Sequence, residues 1–460
     1  MQSIKEAIEQ KGPVRRAVPT VSATFKDGGI LETVYDAEAK KTRFAFWRDG
    51  AWQFVEDLEA GTNRRLVPYS PYNNLIKNEV VLFSSEPQEY ESEETLLAEI
   101  QSFLHRYVDV SPLFEKIASY YVLFSWVYDG FNELPYLRVR GDPGSGKTRF
   151  LLTVGSLCYK PAFASGASTV SPIFRILESF RGTLIIDESD FRLSDEKAEV
   201  VKILNNGNVK GFPVLRSEVS GKGEFNPRAY QVFGPKIVAT RGAFDDRALE
   251  SRFLTEEMGQ LPLRDEVPIN LPQSHKTEAL ALRNKLLLFR FRNFRRKLTT
   301  EDLVDRSIEP RLNQIFVPLL SVIEEAGARA ALQDVARQYH REMVSERGLD
   351  MEAQILEVIR SLLLSAQDGA LALSDITSRF ADLYGGEYDR KITNKWIGWV
   401  LRRRLHLAPQ RSRDGYVIPL TEIPKLDRLY EKYGLNEANV GEKGDAAAAE
   451  AKSVSDPIPD

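Results

Sequence analysis

Between residues 20 and 56 apolar side chains alternate with polar ones at the period of two expected of a half-buried strand. Within that stretch "TRFAFWRDGAWQF" sets Asp49-Gly50 between two aromatic-rich runs, which predicts a tight hairpin. "VPYSPYNNL", Val67 to Leu75, ends the alternation, and the apolar spacing then becomes helical in "EETLLAEIQSFLHRYV" and "PLFEKIASYYVLFSWVYDGF". A strand "PYLRVR", a glycine-rich turn and a helix "KTRFLLTVGSLCY" follow, with further α/β alternation to about Met258. Helical spacing dominates from about 274 to 345, and the segment from about 350 to 420 has a pattern of its own. The Ala-rich polar tail "GEKGDAAAAEAKSVSDPIPD" is predicted to be disordered.

Composition changes this picture in two ways. A chain of 460 residues, 43% hydrophobic and 28% charged, has room for about three domains. Its net charge of −4 and pI near 5.9 exclude the strong positive field of a general nucleic-acid binder, so any polyanion site is local. Cys158 is the one cysteine and cannot form an internal disulfide, while His105, His275, His340 and His406 are too scattered to suggest a metal cluster. The polar N-terminus and the short apolar runs predict a soluble, cytoplasmic protein with no membrane association.

The glycine-rich turn carries the first chemistry. "RGDPGSGKTR" fits G-x-x-x-x-G-K-[ST], with Gly141, Asp142, Pro143, Gly144, Ser145, Gly146, Lys147 and Thr148 after an apolar strand and before a helix. Glycines allow successive backbone N–H groups to curl around phosphate oxygens at a helix N-terminus. Lys147 is expected to neutralise β/γ charge on ATP, and the Thr148 hydroxyl to ligate Mg2+.

A second motif separates hydrolysis from phosphate transfer to a small substrate. "RGTLIIDESD" is a buried-type strand ending in Asp187 and Glu188. Because successive strand side chains point to opposite sides, Asp187 can reach the metal while Glu188 faces the space of an attacking water. A nucleotide kinase needs no such glutamate, so the triphosphate reads as fuel.

From about residue 110 to 320 the chain resembles the AAA+ ATPases. Thr240, in the apolar strand "PKIVATRG", sits where that family places a polar sensor of the γ-phosphate, although most members carry Asn. "DDRALESRFL" resembles the arginine-finger segment, and its Ser251, Arg252, Phe253 is similar to the finger motif of minichromosome-maintenance (MCM) helicases; Arg247 is a rival finger. "EPRLNQIFVPLL" resembles the lid-helix sensor, with Arg311 as candidate. The resemblance implies that a guanidinium from one subunit completes its neighbour's site, and hence a homo-hexameric ring. "GFPVLRSEVSGKGEFNPRAYQVFG" resembles the pre-sensor hairpin that MCM and superfamily 3 helicases project into a central channel. Lys222 would be its tip residue, with Arg216 and Arg228 on the arms; a solvated Gly-Lys-Gly loop is the plain alternative. Copies of one lysine in a pore could hold single-stranded DNA even in an acidic chain.

The segments "MEAQILEVIRSLLLSA", "LALSDITSRFADLYG" and "TNKWIGWVLRRRL", followed by "LAPQRSRDGYVIPL", predict three helices and a hairpin turned at Asp414-Gly415, the order of a winged helix. The third helix would present Lys391, Lys395, Arg402 and Arg403 near a groove, with Arg411 and Arg413 on the wing. Protein contact is the other use of such a domain. Trp396 and Trp399 are expected in its core. The arginines of "FRFRNFRRKL" are expected on a solvated or inter-subunit surface, because Leu287, Phe291, Phe294 and Leu298 share a helix face.

The fold expected is α/β: an AAA+ P-loop NTPase core with a helical lid, a small β-rich N-terminal domain and a C-terminal winged helix. Its boundaries are 1–80 for the N-terminal domain, 81–260 for the core with its helical lead-in, 261–345 for the lid, 346–432 for the winged helix and 433–460 for the tail. The layout resembles MCM-like helicases of bacterial or phage mobile elements, although the N-terminal domain shows no zinc-binding spacing. The function implied is ATP-driven translocation on DNA. An initiator or loader that does not unwind, and a protein-remodelling ATPase, are the alternatives.

Overall fold

The computed structural model describes residues 16–61, 63–166, 168–187, 195–219, 225–244, 246–260, 262–294, 301–348, 351–365, 371–388, 391–413 and 415–435. The chain divides into two compact units, one running to Asp334 and the other starting at Val335.

The first unit opens with two small sheets. Strands β1 (Arg16–Thr20), β2 (Ser22–Thr24), β3 (Ile30–Asp36), β4 (Lys41–Arg48), β5 (Ala51–Val55), β6 (Leu58–Ala60) and β7 (Arg64–Pro68) form a four-stranded sheet β2-β3-β4-β5 and a three-stranded sheet β1-β7-β6. The hairpin expected at Asp49-Gly50 joins β4 to β5, with Arg48 opposite Ala51. Both turn residues have positive φ, 52° and 83°, which matches the right-handed twist of the flanking strands. A single-turn helix α1 (Asn74–Lys77), capped by the Asn73 side chain, fills the Pro/Tyr/Asn-rich break.

Helices α2 (Glu93–Tyr107) and α3 (Pro112–Ser125) start at Ser92 and Ser111, whose hydroxyls accept from backbone N–H groups of the first turn. After them come β8 (Tyr136–Arg140), α4 (Lys147–Leu157), β9 (Ala162–Ser165), α5 (Val170–Phe180), β10 (Leu184–Asp187), α6 (Asp195–Asn206), the hairpin β11 (Val214–Val219) and β12 (Phe225–Tyr230), β13 (Lys236–Thr240), α7 (Arg247–Glu250) and β14 (Phe253–Glu257). The central sheet is parallel throughout, in the order β14-β8-β13-β10-β9. Its middle strands β8 and β13 are almost wholly buried, as a parallel sheet covered on both faces requires. Helices α8 (Gln273–Asn293), α9 (Pro310–Ser321) and α10 (Ala326–Gly348) follow.

Arg292 is exposed, as expected of the arginines on α8, but Arg290 is not. It is 2% exposed and bonded to Glu32 of β3 at 2.8 Å and to Asp129 at 2.7 Å. The apolar pattern showed one buried face, but Leu286, Leu287, Leu288, Phe289 and Phe291 are all buried too, so α8 has no free side there. The N-terminal sheet supplies the cover, with Trp47 stacked on Phe291 at 5.7 Å between centroids. Lys160 joins the cluster, 2.7 Å from Glu32. Burial pushes the Lys160 amine down to about 8 despite the attraction of Glu32.

The second unit contains α11 (Met351–Ser365), β15 (Leu371–Ala372), α12 (Leu373–Tyr384), α13 (Asn394–Arg403), β16 (Gln410–Ser412), β17 (Gly415–Ile418) and α14 (Ile423–Lys432). Its helices enclose one apolar core that includes Leu356, Ile359, Ile376, Phe380, Ile397 and Leu401. The antiparallel sheet β15-β17-β16 closes one side. Among the described residues no helix is long and apolar enough to cross a membrane.

Candidate functional site

The C-terminal ends of three neighbouring strands build the site. β8 leads into the glycine loop, β10 ends at Asp187, and β13 lies between them and ends at Thr240. Ligand sites in such sheets form in the crevice beyond the strand ends.

The loop shape needs its glycines at two points. A Cβ on Gly141 would come 2.6 Å from the Met258 carbonyl oxygen, and Gly146 caps α4 with φ of 92°. Lys147 bends back over the loop, its Nζ donating to the carbonyls of Gly141 at 2.6 Å and Asp142 at 2.7 Å. Those neutral oxygens hold an ammonium that a phosphate anion would bind more strongly.

Thr148 Oγ1 donates to Asp187 Oδ2 at 2.7 Å, joining the first turn of α4 to the end of β10. A hydroxyl and a carboxylate side by side form the hard oxygen pair that suits Mg2+ with a phosphate. Thr240 is 2% exposed; its backbone carbonyl accepts from Gly141 N at 3.3 Å, while its Oγ1 is buried with no hydrogen-bond partner among the described residues. Ser145 Oγ is in the same condition. Two orphaned hydroxyls around one loop fit a ligand rich in acceptor oxygens. Glu188 and Lys222 lie outside the described residues, as do residues 436–460.

Arg252 and Arg311 come together. Arg252 donates from Nε to Asn208 Oδ1 at 3.0 Å and from Nη1 to Asn205 Oδ1 and to the Ala248 carbonyl. Arg311, in the first turn of α9, donates from Nη2 to that same carbonyl at 2.7 Å. Burial, and after it the nearby Arg311, lowers the proton affinity of the Arg252 guanidinium. Arg247 opens α7.

Asn205 and Asn208, which hold Arg252, and the ion pair that anchors α7 next to it were not singled out from the sequence. Arg138, buried in β8, forms a bidentate pair with Glu250 of α7 and also donates to Thr255. Burial alone would raise the Glu250 carboxyl, but Arg138, the Phe244 N–H and Arg140 together outweigh it and keep the group below the usual carboxylate range. An arginine in the middle of the apolar run "PYLRVR" was the available signal, since a buried charge requires a partner. Asn205 and Asn208 gave none.

The hairpin arms are engaged with their own chain. Arg216 and Arg228 face each other across β11 and β12. Arg216 pairs with Glu199 and lies over the Phe174 ring at 4.2 Å, while Arg228 pairs with Glu178 at 2.9 Å.

In the second unit Lys391, Lys395, Arg402, Arg403, Arg411 and Arg413 are all exposed. Trp396 packs against Phe380 and Tyr388 as expected of the core. Trp399 does not: it is 47% exposed. The buried stripe of α13 is Ile397, Gly398, Val400 and Leu401, and 100° per residue places Trp399 on the opposite side.

No protein-family model and no curated protein matches the chain. Solved structures similar to it include "The A form apo structure of NrS-1 C terminal region-CTR(305-718)", at 12% identity and a TM-score of 0.34, over 84% of this chain and 95% of that one. Another is "SCCmec type IV Cch - active helicase", at 10% identity and a TM-score of 0.39, over 93% of this chain and 84% of that one. At such scores neither likeness bears on what this chain does.

Proposed function

We propose that the chain is an ATP-hydrolysing motor that moves along DNA, built as an AAA+ core with a C-terminal winged helix and working as a ring, of the kind MCM-like helicases represent. The observation that carries this reading is the bond between Thr148 and Asp187 at the mouth of a glycine loop. It joins two motifs 39 residues apart in sequence that the hydrolysis of a nucleoside triphosphate needs side by side.

In this reading the loop amides and Lys147 hold the triphosphate, and Thr148 with Asp187 would hold Mg2+, which would neutralise charge on the phosphate oxygens. Glu188 orients the attacking water as general base. Thr240 offers its unpartnered hydroxyl to the γ-phosphate. Arg252 stabilises charge on the phosphoryl group held by an adjoining copy. Since Arg311 shares the Ala248 carbonyl with Arg252, the two are assigned to the same phosphate. Lys222 at the hairpin tip contacts the strand in the pore. Arg216 and Arg228, ion-paired to Glu199 and Glu178, orient the hairpin that carries it. Lys395, Arg402, Arg403, Arg411 and Arg413 bind nucleic acid outside the pore.

The test is ATPase activity with and without single-stranded DNA across a salt series. DNA should stimulate turnover, and the stimulation should fade as salt rises, because phosphate contacts displace counterions. Stimulation by an unfolded protein instead of DNA, or full activity in a monomer at high dilution, would sink the reading.

A further inference from the structure

We infer that the exposed face of α13, with Trp399 at its centre, is a stacking site for single-stranded nucleic acid. The inference deepens the nucleic-acid reading of the second unit and does not depend on ATP hydrolysis.

Five observations carry it. Lys395, Trp399, Arg402 and Arg403 recur at i, i+4, i+7 and i+8, which sets them on the face opposite the buried stripe. The run from 391 to 413 contains Lys391, Lys395, Arg402, Arg403, Arg404, Arg411 and Arg413 and not one acidic residue, in a chain whose net charge is −4. Among the described residues only Arg404 of this set has an acidic partner, Glu352 at 3.8 Å. The Arg402 guanidinium lies along the helix over Gly398, where a Cβ would meet both terminal nitrogens at 3.3 Å. A second half-exposed aromatic, Tyr416, stands directly across from Arg411 on the β16–β17 hairpin.

A large indole left half in water beside packed Trp396, with the Arg404 guanidinium 6.0 Å from its ring, gains little for folding. Set among cations of which, within the described residues, only Arg404 has an acidic partner, it has the two parts of a strand-binding surface, charge for the phosphates and a ring for the base. Single strands are favoured over duplex because a paired base offers a groove reader only its edge, whereas an unpaired base offers its whole face. Stacking does not read the 2′-hydroxyl, so DNA and RNA strands should bind alike.

The test uses the full chain without nucleotide, in a Lys222→Ala background so that the proposed pore contact adds no affinity. Fluorescence anisotropy of labelled oligo-dT, oligo-rU and a duplex of the same length is compared for that parent and for added Trp399→Ala, Trp399→Phe and Arg402→Ala. Trp399→Ala should weaken oligo-dT and oligo-rU roughly ten- to a hundredfold while leaving the salt slope unchanged. Trp399→Phe should stay within a few-fold of the parent, and Arg402→Ala should make the slope shallower by about one phosphate contact. Equal binding by the parent and Trp399→Ala overturns the inference. So does tighter binding of duplex than of single strand, or a change of oligomeric state as the only effect of Trp399→Ala, which would mark a protein contact. Because ATPase is not read, absence of hydrolysis would count against the motor and leave this result standing.

Discussion

Arg252 and Arg311 donate to a single acceptor, the carbonyl oxygen of Ala248, at 3.0 and 2.7 Å. That oxygen is neutral and the Asp246 carboxylate that interacts with Arg252 supplies one negative charge against two positive ones, so the pair retains attraction for an anion. If that anion is one phosphoryl group, Arg252→Ala and Arg311→Ala should each lower kcat by roughly two to three orders of magnitude with nucleotide binding nearly intact. The double variant should be little worse than the more damaged single one. Steady-state kinetics on the four proteins checks this, and losses that multiply would assign the arginines to separate phosphates.

Thr240 offers a test in which stability and activity part ways. Its Oγ1 is buried with no hydrogen-bond partner among the described residues, so Thr240→Val keeps the shape and removes that hydroxyl. Thermal stability should hold or rise by up to about 1 kcal/mol. Turnover should fall at least tenfold if the hydroxyl meets the γ-phosphate. A variant that hydrolyses ATP at the wild-type rate excludes the sensor role.

Lys236 is fully buried, and its ammonium is surrounded by the carbonyls of Gly207, Val232 and Gly234 at 2.9 to 3.3 Å. Burial pushes its pKa from 10.5 down to about 7. Below about pH 7 both folded and unfolded chains carry the proton, and this group gives no pH dependence. From about 7 to 10.5 the unfolded chain binds more protons, so stability should rise with pH. Denaturant midpoints from pH 6.5 to 9.5 should show that slope, and Lys236→Met should make it shallower and remove its onset near pH 7, leaving the rise above about 8 that Lys160 contributes.

Arg290→Met should cost about 3 kcal/mol, because it takes from the buried Glu32 and the half-buried Asp129 the guanidinium they share, leaving Glu32 only Lys160 as a cationic partner. Adding Glu32→Gln should restore part of that loss. Urea unfolding of the two single variants and the double decides it; strict additivity would mean that Glu32 and Arg290 do not couple.

The glycine loop, the strand ending at Asp187 and the Asp49-Gly50 hairpin were legible because each depends on neighbours in sequence: a turn type, a strand end, a helix start. Arg290 and Trp399 were misread for one shared reason. Helical periodicity tells which face of a helix is apolar, but not whether another element covers the remaining faces. The N-terminal sheet covers α8, and nothing described covers the far side of α13. The meeting of Arg252 with Arg311 was hidden because the two lie 59 positions apart and are brought together only by tertiary packing.

Glu32 also bears on how the protein can be shortened. A fragment starting at residue 81 would keep Lys160 and Arg290 and discard the carboxylate they share. Trp47 would go with it, uncovering Phe291. The amino-terminal strands act as an internal counter-ion for the α/β core, so trimming to that core requires either retaining β3 or rewriting the two cations that it neutralises.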